Sequence, residues 1–380
     1  MCAKKILFLG THGQYNIGDE LLLETFLSQL GEQHEYTVNT YDPDFTLHQL
    51  GEQYKLKVFH TTQERWHLLG HILKSDLVFF GGGSILKELY ASIGRNRYAT
   101  LMMVLAIVSF AKIIGRKKIV MSNIGVGPIE SRFGLFLVKL ILSLVDYVSV
   151  RDEKSHRTCV EVGIHAEKLK FVPDAVFVHK PAFFLRKQAP LQERSEKIRV
   201  ALNLNYDIEH PEFWGSFIQN LAEGLKKVHK KHPLEIHALP MQSGYKKSND
   251  LELLKDFQTR IPEIRMFLHN PVTTLDMGDV LRLCDLVVAE RLHTCISAAI
   301  LGIPVLPLVY DVKVRELVKI LGVESYGLEI GAGFSTNAFE ETFIKMLNQK
   351  NELKQNIKKR TKYLQKQLED YFQTLRETFV

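Results

Sequence analysis

Paired cysteines, a long apolar run, a dinucleotide fingerprint and a large charge excess of one sign are all missing from this chain, and each absence removes a class of protein. The four cysteines, Cys2, Cys159, Cys284 and Cys295, lie far apart without paired ligand spacing. That excludes a disulfide frame and a zinc cluster and points to a reducing interior. The most apolar stretch runs fourteen residues from Tyr98 before Lys112 interrupts it, whereas a membrane-spanning helix needs about 20. It reads as a core helix of a first domain. The basic residues Arg95, Arg97, Lys112, Arg116, Lys117 and Lys118 around it leave a surface helix near acidic lipid as the secondary reading. The chain begins MCAKK and enters a strand at once, so no signal peptide is expected; the expected location is cytoplasmic, with the membrane surface as a secondary site. The glycines at 10, 13 and 18 are spaced three and five, which fails the Gly-x-Gly-x-x-Gly requirement of a dinucleotide turn. The net charge of +6 and pI near 8.9 are mild, with 49 basic residues spread along the chain. They suit anionic ligands or a membrane surface and do not indicate nucleic acid.

What is present is enough for two ordinary cores: 380 residues, 46% apolar and 24% charged. Strands and helices alternate in two runs. KILFLG, YTVNTY, DLVFFGGG, KIVMSNI and YVSVRD are strands of the first, with helices read at 19–30, 98–114 and 131–144. IRVALNLN, LEIHALP, MFLH, LVVAE and VLPLV are strands of the second. The expected fold class is therefore α/β, with two Rossmann-like doubly wound domains facing a cleft in a GT-B-like arrangement. Residues 1–180 form the expected amino-terminal domain on the acceptor side, and 198–345 the second domain on the donor side, with the polar stretch 180–197 as a hinge. Residues 346–380 carry Met346, Leu353, Ile357, Leu364, Leu368, Tyr371 and Leu375 at helical spacing, an amphipathic helical segment expected to pack back on the domains.

Chemistry concentrates where strands end. In ERLHTCISAAILGIPVLPLVYD (290–311), LVVAE closes a strand, a short helix follows and Gly302 stops it. Arg291 and His293 thus fall beside a helix amino terminus, whose unpaired N–H groups and dipole attract carboxylate or phosphate. The triple glycine Gly81, Gly82 and Gly83 with Ser84 also ends a strand, where glycine allows either a sharp turn or close approach of a ligand to the backbone. In GTHGQYNIGDE, Asp19 and Glu20 either cap the following helix or line a cleft, where Asp19 accepts a proton from a sugar hydroxyl and Asn16 orients it. Asp152 reads as a helix cap and Arg151 as either its ion-pair partner or a second ligand arginine. Asp311 and Lys313 share the edge with Arg291.

These segments together resemble the polysaccharide pyruvyl transferase family. The family carries an Arg-Leu-His at the same strand-to-helix edge, and FLGTHGQYNIGDELLLETF, FFGGGSILKE, NIGVGPI, VSVRDEKSHRTCVEVGI and VPDAVF follow in the family's order. The resemblance implies transfer of pyruvate from phosphoenolpyruvate to two hydroxyls of a saccharide as a ketal, in cell-surface polysaccharide biosynthesis. It implies Arg291 and Arg151 as an anion clamp, since a guanidinium grips carboxylate or phosphate through two parallel bonds. His293 becomes the proton-transfer group, with Asp19 as a second. Asn16, Gly81, Gly82, Gly83, Ser84 and Lys313 complete the substrate-binding set. No cofactor beyond the donor substrate and no metal is expected; a saccharide acceptor, lipid-linked or free, is the expected partner. Glu290 departs from the small or apolar residue expected before Arg291, where it could pair with Arg291 or raise the pKa of His293. Two other readings stay open: a GT-B glycosyltransferase whose histidine and arginine grip a nucleotide-sugar diphosphate, and a non-catalytic binding protein with the same fold.

Overall fold

The computed structural model describes residues 3–89, 96–186, 196–205, 211–244 and 249–380. Arg95 and half of the stretch read as a hinge, residues 187–195, lie outside them. The chain divides into two compact units, the first made of residues 1–14, 19–178 and 366–380 and the second of residues 15–18 and 179–365.

Each unit is built on one parallel sheet. In the first, β1 (Lys5–His12), β2 (Glu35–Thr40), β3 (Lys55–His60), β4 (Leu77–Gly81), β5 (Lys118–Ile124), β6 (Tyr147–Val150) and β7 (Leu169–Phe171) run in the order β3-β2-β1-β4-β5-β6-β7. In the second, β8 (Ile198–Asn203), β9 (Leu234–Ala238), β10 (Arg265–Leu268), β11 (Leu286–Ala289), β12 (Val305–Val309) and β13 (Leu328–Glu329) run β10-β9-β8-β11-β12-β13. Strand order therefore reverses between β1 and β4 and again between β8 and β11, the doubly wound pattern that opens a crevice at the carboxyl ends of those strands.

Both faces of the first sheet are covered, because side chains alternate along buried strands. One face sends Leu7, Leu9, Val78, Phe80, Ile119 and Met121 against helices Ala99–Ser109 and Arg132–Leu144. From the other face Phe8 and Phe79 meet Phe26 of the helix Ile17–Leu30, and Phe26 in turn meets Phe372 edge-on. The apolar helix continues past Ser109 as a π-type turn, Phe110–Ile114.

The carboxyl-terminal segment departs in detail from the single stretch expected from 346. Met346 belongs to the helix Thr336–Asn348, and a new helix, Lys350–Phe379, starts beyond Gln349. Its residues divide between the units at Gln365 and Lys366. In the second unit Thr361 Oγ1 donates to the Ala299 carbonyl at 3.4 Å. In the first unit the buried Tyr371 hydroxyl sits 2.5 Å from Ser122 Oγ and 2.7 Å from Ser149 Oγ, and Arg376 donates to the Gln29 carbonyl at 2.7 Å. The last turns of the chain therefore complete the core laid down by its first strands.

Candidate functional site

The carboxyl end of β11 enters the helix Leu292–Leu301, and the residues between are fixed by Asn203 at the end of β8. The Asn203 side-chain oxygen accepts the Arg291 backbone N–H at 2.9 Å, and its amide donates to the Leu239 carbonyl at 2.9 Å. This pins the turn at the switch point. Arg291 is the N-cap residue, yet no side chain caps this helix; at the other end Gly302 closes it with φ +70°, as the Gly-x-Pro stop predicts. An uncapped helix start carries amide N–H groups and partial positive charge.

Arg291 itself is held from within. Its Nε donates to Asp250 Oδ2 at 3.1 Å and its Nη2 to Asp250 Oδ1 at 2.7 Å, with Gln242 Oε1 at 3.4 Å from Nη2. Asp250 is fully buried and also accepts the Met241 N–H at 3.1 Å. The clamp expectation is narrowed by this: one bidentate edge of the guanidinium already grips a carboxylate of its own unit. The same contact corrects the pairing anticipated for Glu290, because the arginine's partner is Asp250. Glu290 is fully buried, and among the described residues neither of its oxygens has a partner at hydrogen-bonding geometry. Burial first of all pushes its carboxyl well above the usual range; the Asn205 N–H and Arg291 oppose the shift and Asp250 adds to it. A raised carboxyl pKa there works against a second negative charge beside the Arg291–Asp250 pair.

His293 lies half-buried in the first turn of the same helix, and its neighbour is the amino-terminal loop. Residues 15–18 fold with the second unit: the Ile17 N–H donates to the Met241 carbonyl at 2.9 Å, Asn16 bridges Gln242, and the Ser243 N–H donates to the Tyr15 carbonyl at 3.3 Å. A Cβ on Gly18 would stand 2.3 Å from His293 Nδ1. Glycine is thus required where the histidine ring covers the backbone. Asn16 is the helix cap, its side-chain oxygen accepting the Gly18 N–H at 3.1 Å, one of the two roles the sequence left open for Asp19 and Glu20. The Asn-x-Gly and Arg-x-His motifs, 275 positions apart from Asn16 to Arg291, meet in one unit.

The other candidates belong to the first unit's own architecture or stand at its edges. Arg151 is buried and donates to Asp174 Oδ2 at 2.7 Å; Asp174 Oδ1 accepts the Val176 N–H at 3.2 Å. Arg151, expected as a ligand arginine, thus forms an internal ion pair joining the Arg-Asp-x-x-Ser and Val-Pro-Asp motifs. Asp152 caps its helix through the Ser155 N–H at 2.7 Å, as expected. Gly81 is buried with its Cβ position 2.2 Å from the Phe8 ring, while Gly82 and Gly83 adopt φ of +66° and +73°. Gly82 donates to the Ser122 carbonyl and Gly83 accepts the Gly125 N–H, so the glycine turn knits two loops together; Ser84 follows it with a buried hydroxyl. Glu88 of the same motif binds Arg97 and the Ser131 hydroxyl and accepts the Glu130 and Ser131 N–H groups, which satisfies the start of the helix Arg132–Leu144. Asp19 stands half-buried in the first turn of the helix Ile17–Leu30. In the second unit Asp311 caps the helix Val312–Leu321 through the Val314 N–H at 2.9 Å, with Lys313 4.0 Å away. Among the described residues no cluster of His, Cys, Asp or Glu is placed to hold a metal ion.

Sequence reasoning gave no role to Asp250, Gln242 or Asp174. Asn249 and Asp250 before an amphipathic run signal a helix start, and Asn249 does cap it, but no local pattern marks Asp250 as an arginine's partner. Glu20 was also undervalued. Its Oε1 accepts the Gly13 N–H at 2.6 Å, and burial raises its pKa from 4.5 to about 8 against the lowering effect of that bond. A carboxyl whose folded pKa is raised contributes stability fully present below the unfolded pKa and lost as pH climbs through about 8. Glu20→Gln keeps an acceptor and removes the ionisation. Its melting temperature should match the parent near pH 4.5 and exceed it progressively towards pH 8.5; even one unit of the shift, ~1.4 kcal/mol, corresponds to about 3–6 °C. Parallel pH melting curves for the two chains would expose an error here.

A family model described as polysaccharide pyruvyl transferase matches residues 16–312. No curated protein gives a significant sequence match. Among solved structures, the Anabaena protein HepE in complex with UDP and glucose is 13% identical with a TM-score of 0.66, covering 99% of each chain. The UDP-GlcNAc 2-epimerase of Neisseria meningitidis bound to UDP-GlcNAc is 12% identical, with a TM-score of 0.64 over 98% of this chain and 100% of that one. A glycosyltransferase from Rickettsia africae is 12% identical, with a TM-score of 0.62 over 99% and 98%. At such identities the likeness is one of fold: two parallel-sheet α/β domains of the GT-B class.

Proposed function

Because the chain belongs to the polysaccharide pyruvyl transferase family, we propose that it moves pyruvate from phosphoenolpyruvate to two hydroxyls of a saccharide during surface-polysaccharide synthesis. The observation that carries this reading beyond the family match is the meeting of Asn16–Gly18 with His293 beside Arg291 at an uncapped helix start. The donor carries a carboxylate and a phosphate, and both suit a helix amino terminus with a guanidinium beside it. Asp250 and Gln242 hold the guanidinium in one orientation, so that little rotamer entropy is lost when an anion arrives.

In the proposed reaction His293, protonated, gives a proton to the methylene carbon of the donor, which becomes a methyl group and leaves positive charge at the central carbon. One sugar hydroxyl oxygen bonds to that carbon and gives up its proton, returning His293 to its starting state. The carbon–oxygen bond to phosphate then breaks, the second hydroxyl oxygen closes the ketal, and its proton leaves with the phosphate. The balance is one donor and one diol consumed, one ketal and one inorganic phosphate formed.

The test is phosphate release from phosphoenolpyruvate by the purified chain across a panel of saccharide acceptors, with thermal stabilisation by each ligand measured in parallel. Acceptor-dependent release of phosphate, with the acceptor gaining one carboxylate, is the expected result. Stabilisation by a nucleoside diphosphate alone, with no release from any acceptor, would replace this reading by sugar transfer from a nucleotide donor.

A further inference from the structure

One side of the first unit presents an apolar surface that its fold does not use. The helix Ala99–Ser109 and its π-type extension bury Leu101, Val104, Val108 and Ala111 towards the sheet. Their outward positions are nonetheless apolar: Met102 and Met103 are exposed, and Ile113 and Ile114 are 66% and 62% exposed. The neighbouring helix Arg132–Leu144, which packs on Ala99–Ser109, adds exposed Phe133 and Phe136, with Phe133 edge-on to Tyr98 at 4.9 Å. On the other side the helix His67–Lys74, which packs on the π-type turn, shows Leu69 and Leu73 outward, and Trp66 before it is 74% exposed. A surface helix of a globular protein normally turns polar residues outward, and a continuous apolar patch of this kind marks an interaction surface.

Charge decides which surface. The three helices and the π-type turn contain no Asp or Glu, while Lys74, Lys112, Arg132 and Lys139 lie on them. Arg116 and Lys117 follow Ile113 and Ile114 after Gly115, and Arg65 stands over the Trp66 ring at 5.9 Å. The nearby carboxylates are already answered: Asp146 by Lys112 at 2.7 Å, Lys118 at 3.5 Å and the Ile119 N–H, and Glu130 by Arg97 at 3.2 Å. No helix among the described residues is long and apolar enough to cross a membrane. Glu64 beside Trp66 is answered by His67 at 3.2 Å, and an apolar face with a mainly cationic rim is the design of an element that lies in a bilayer interface, with aromatic and aliphatic side chains among the acyl chains and Lys and Arg at the phosphates.

We propose that this face, formed by residues 66–74, 99–117 and 132–140, docks the protein on an anionic phospholipid bilayer without crossing it. The docking is independent of which donor the second unit uses. Flotation of the full chain with vesicles tests it, using phosphatidylcholine alone and phosphatidylcholine with about 30% phosphatidylglycerol. The wild-type chain should float with the anionic vesicles at low salt, much less with the neutral ones, and should be released as salt is raised. Ile113→Glu with Ile114→Glu should abolish flotation, and Arg116→Gln with Lys117→Gln should weaken it by about thirtyfold, with melting temperatures nearly unchanged because Ile113, Ile114 and Arg116 are exposed and Lys117 is only half-buried. Should the glutamate pair disturb folding, Trp66→Ala offers a second apolar variant. The proposal is overturned if the wild-type chain does not bind anionic vesicles at low salt, or if the apolar variants float as the parent does. It is equally overturned if light scattering shows a dimer that the same substitutions split, since the face would then belong to a second copy of the chain.

Discussion

Asp174→Ala should destabilise the first unit by about 3–5 kcal/mol, because it strands the Arg151 guanidinium in the interior without its carboxylate. Arg151 and Asp174 are both buried, and the 2.7 Å bond between them ties β6 to the segment after β7. For a unit of this size the loss corresponds to a fall of roughly 6–20 °C in melting temperature. Replacing both partners together, Arg151→Met with Asp174→Leu, should recover most of it, since two well-packed apolar groups do not leave a charge behind. Calorimetry on the single and the double variant separates the ion-pair reading from the ligand reading that the sequence suggested. A single variant that melts like the parent but has lost donor binding would return Arg151 to the substrate.

His293→Ala should lower kcat by about 10²–10⁴-fold, the range for removing a proton-transfer group, while leaving the melting temperature nearly unchanged. The contrast with Arg291 is instructive. Arg291→Ala removes the partner of a fully buried Asp250, so it is expected to cost about 3–5 kcal/mol of stability, and lost activity there would not by itself identify a ligand contact. His293 is half-buried at the helix start and covers Gly18, which makes its removal the cleaner measurement. Steady-state phosphate release at saturating donor is the readout, and a loss smaller than about tenfold would remove His293 from the chemistry.

Much of this fold could be read from residue order because buried parallel strands are written as short apolar runs, and LVVA, VLPLV, LVFFG and KIVMSNI all fold where those runs lie. The strand β3 and the helix Pro43–Leu50 before it were missed. β3 lies at the sheet edge with its lysines outward, so its sequence, KLKVFH, lacks the apolar run that marks a central strand. The anion-site edge was readable for the same reason as the strands, but its wiring was not. Asp250 lies 41 residues from Arg291 and Asp174 lies 23 from Arg151, and neither carboxylate occupies a periodic position that would announce a partner. Burial alone turns these residues from candidates for solvent or ligand into internal counter-ions, and burial is a property of the assembled sheet rather than of any local pattern. Glu290 shows the same limit, since a carboxyl beside an arginine reads as its ion-pair partner until its full burial is seen to push its pKa upward.

The allocation of Lys366–Val380 to the first unit sets the order in which a ribosome can finish this protein. Strands β1 to β7 emerge early, yet Tyr371 and Phe372, which seat against Ser122, Ser149 and Phe26, follow only after the whole second unit. The amino-terminal half therefore waits with an open apolar face while the second unit is translated, a period of about 10–40 s at typical elongation rates, and closes only once this helix has emerged. Chaperone demand should accordingly track the first-made half, and clipping the final helix should turn a soluble product into an aggregating one.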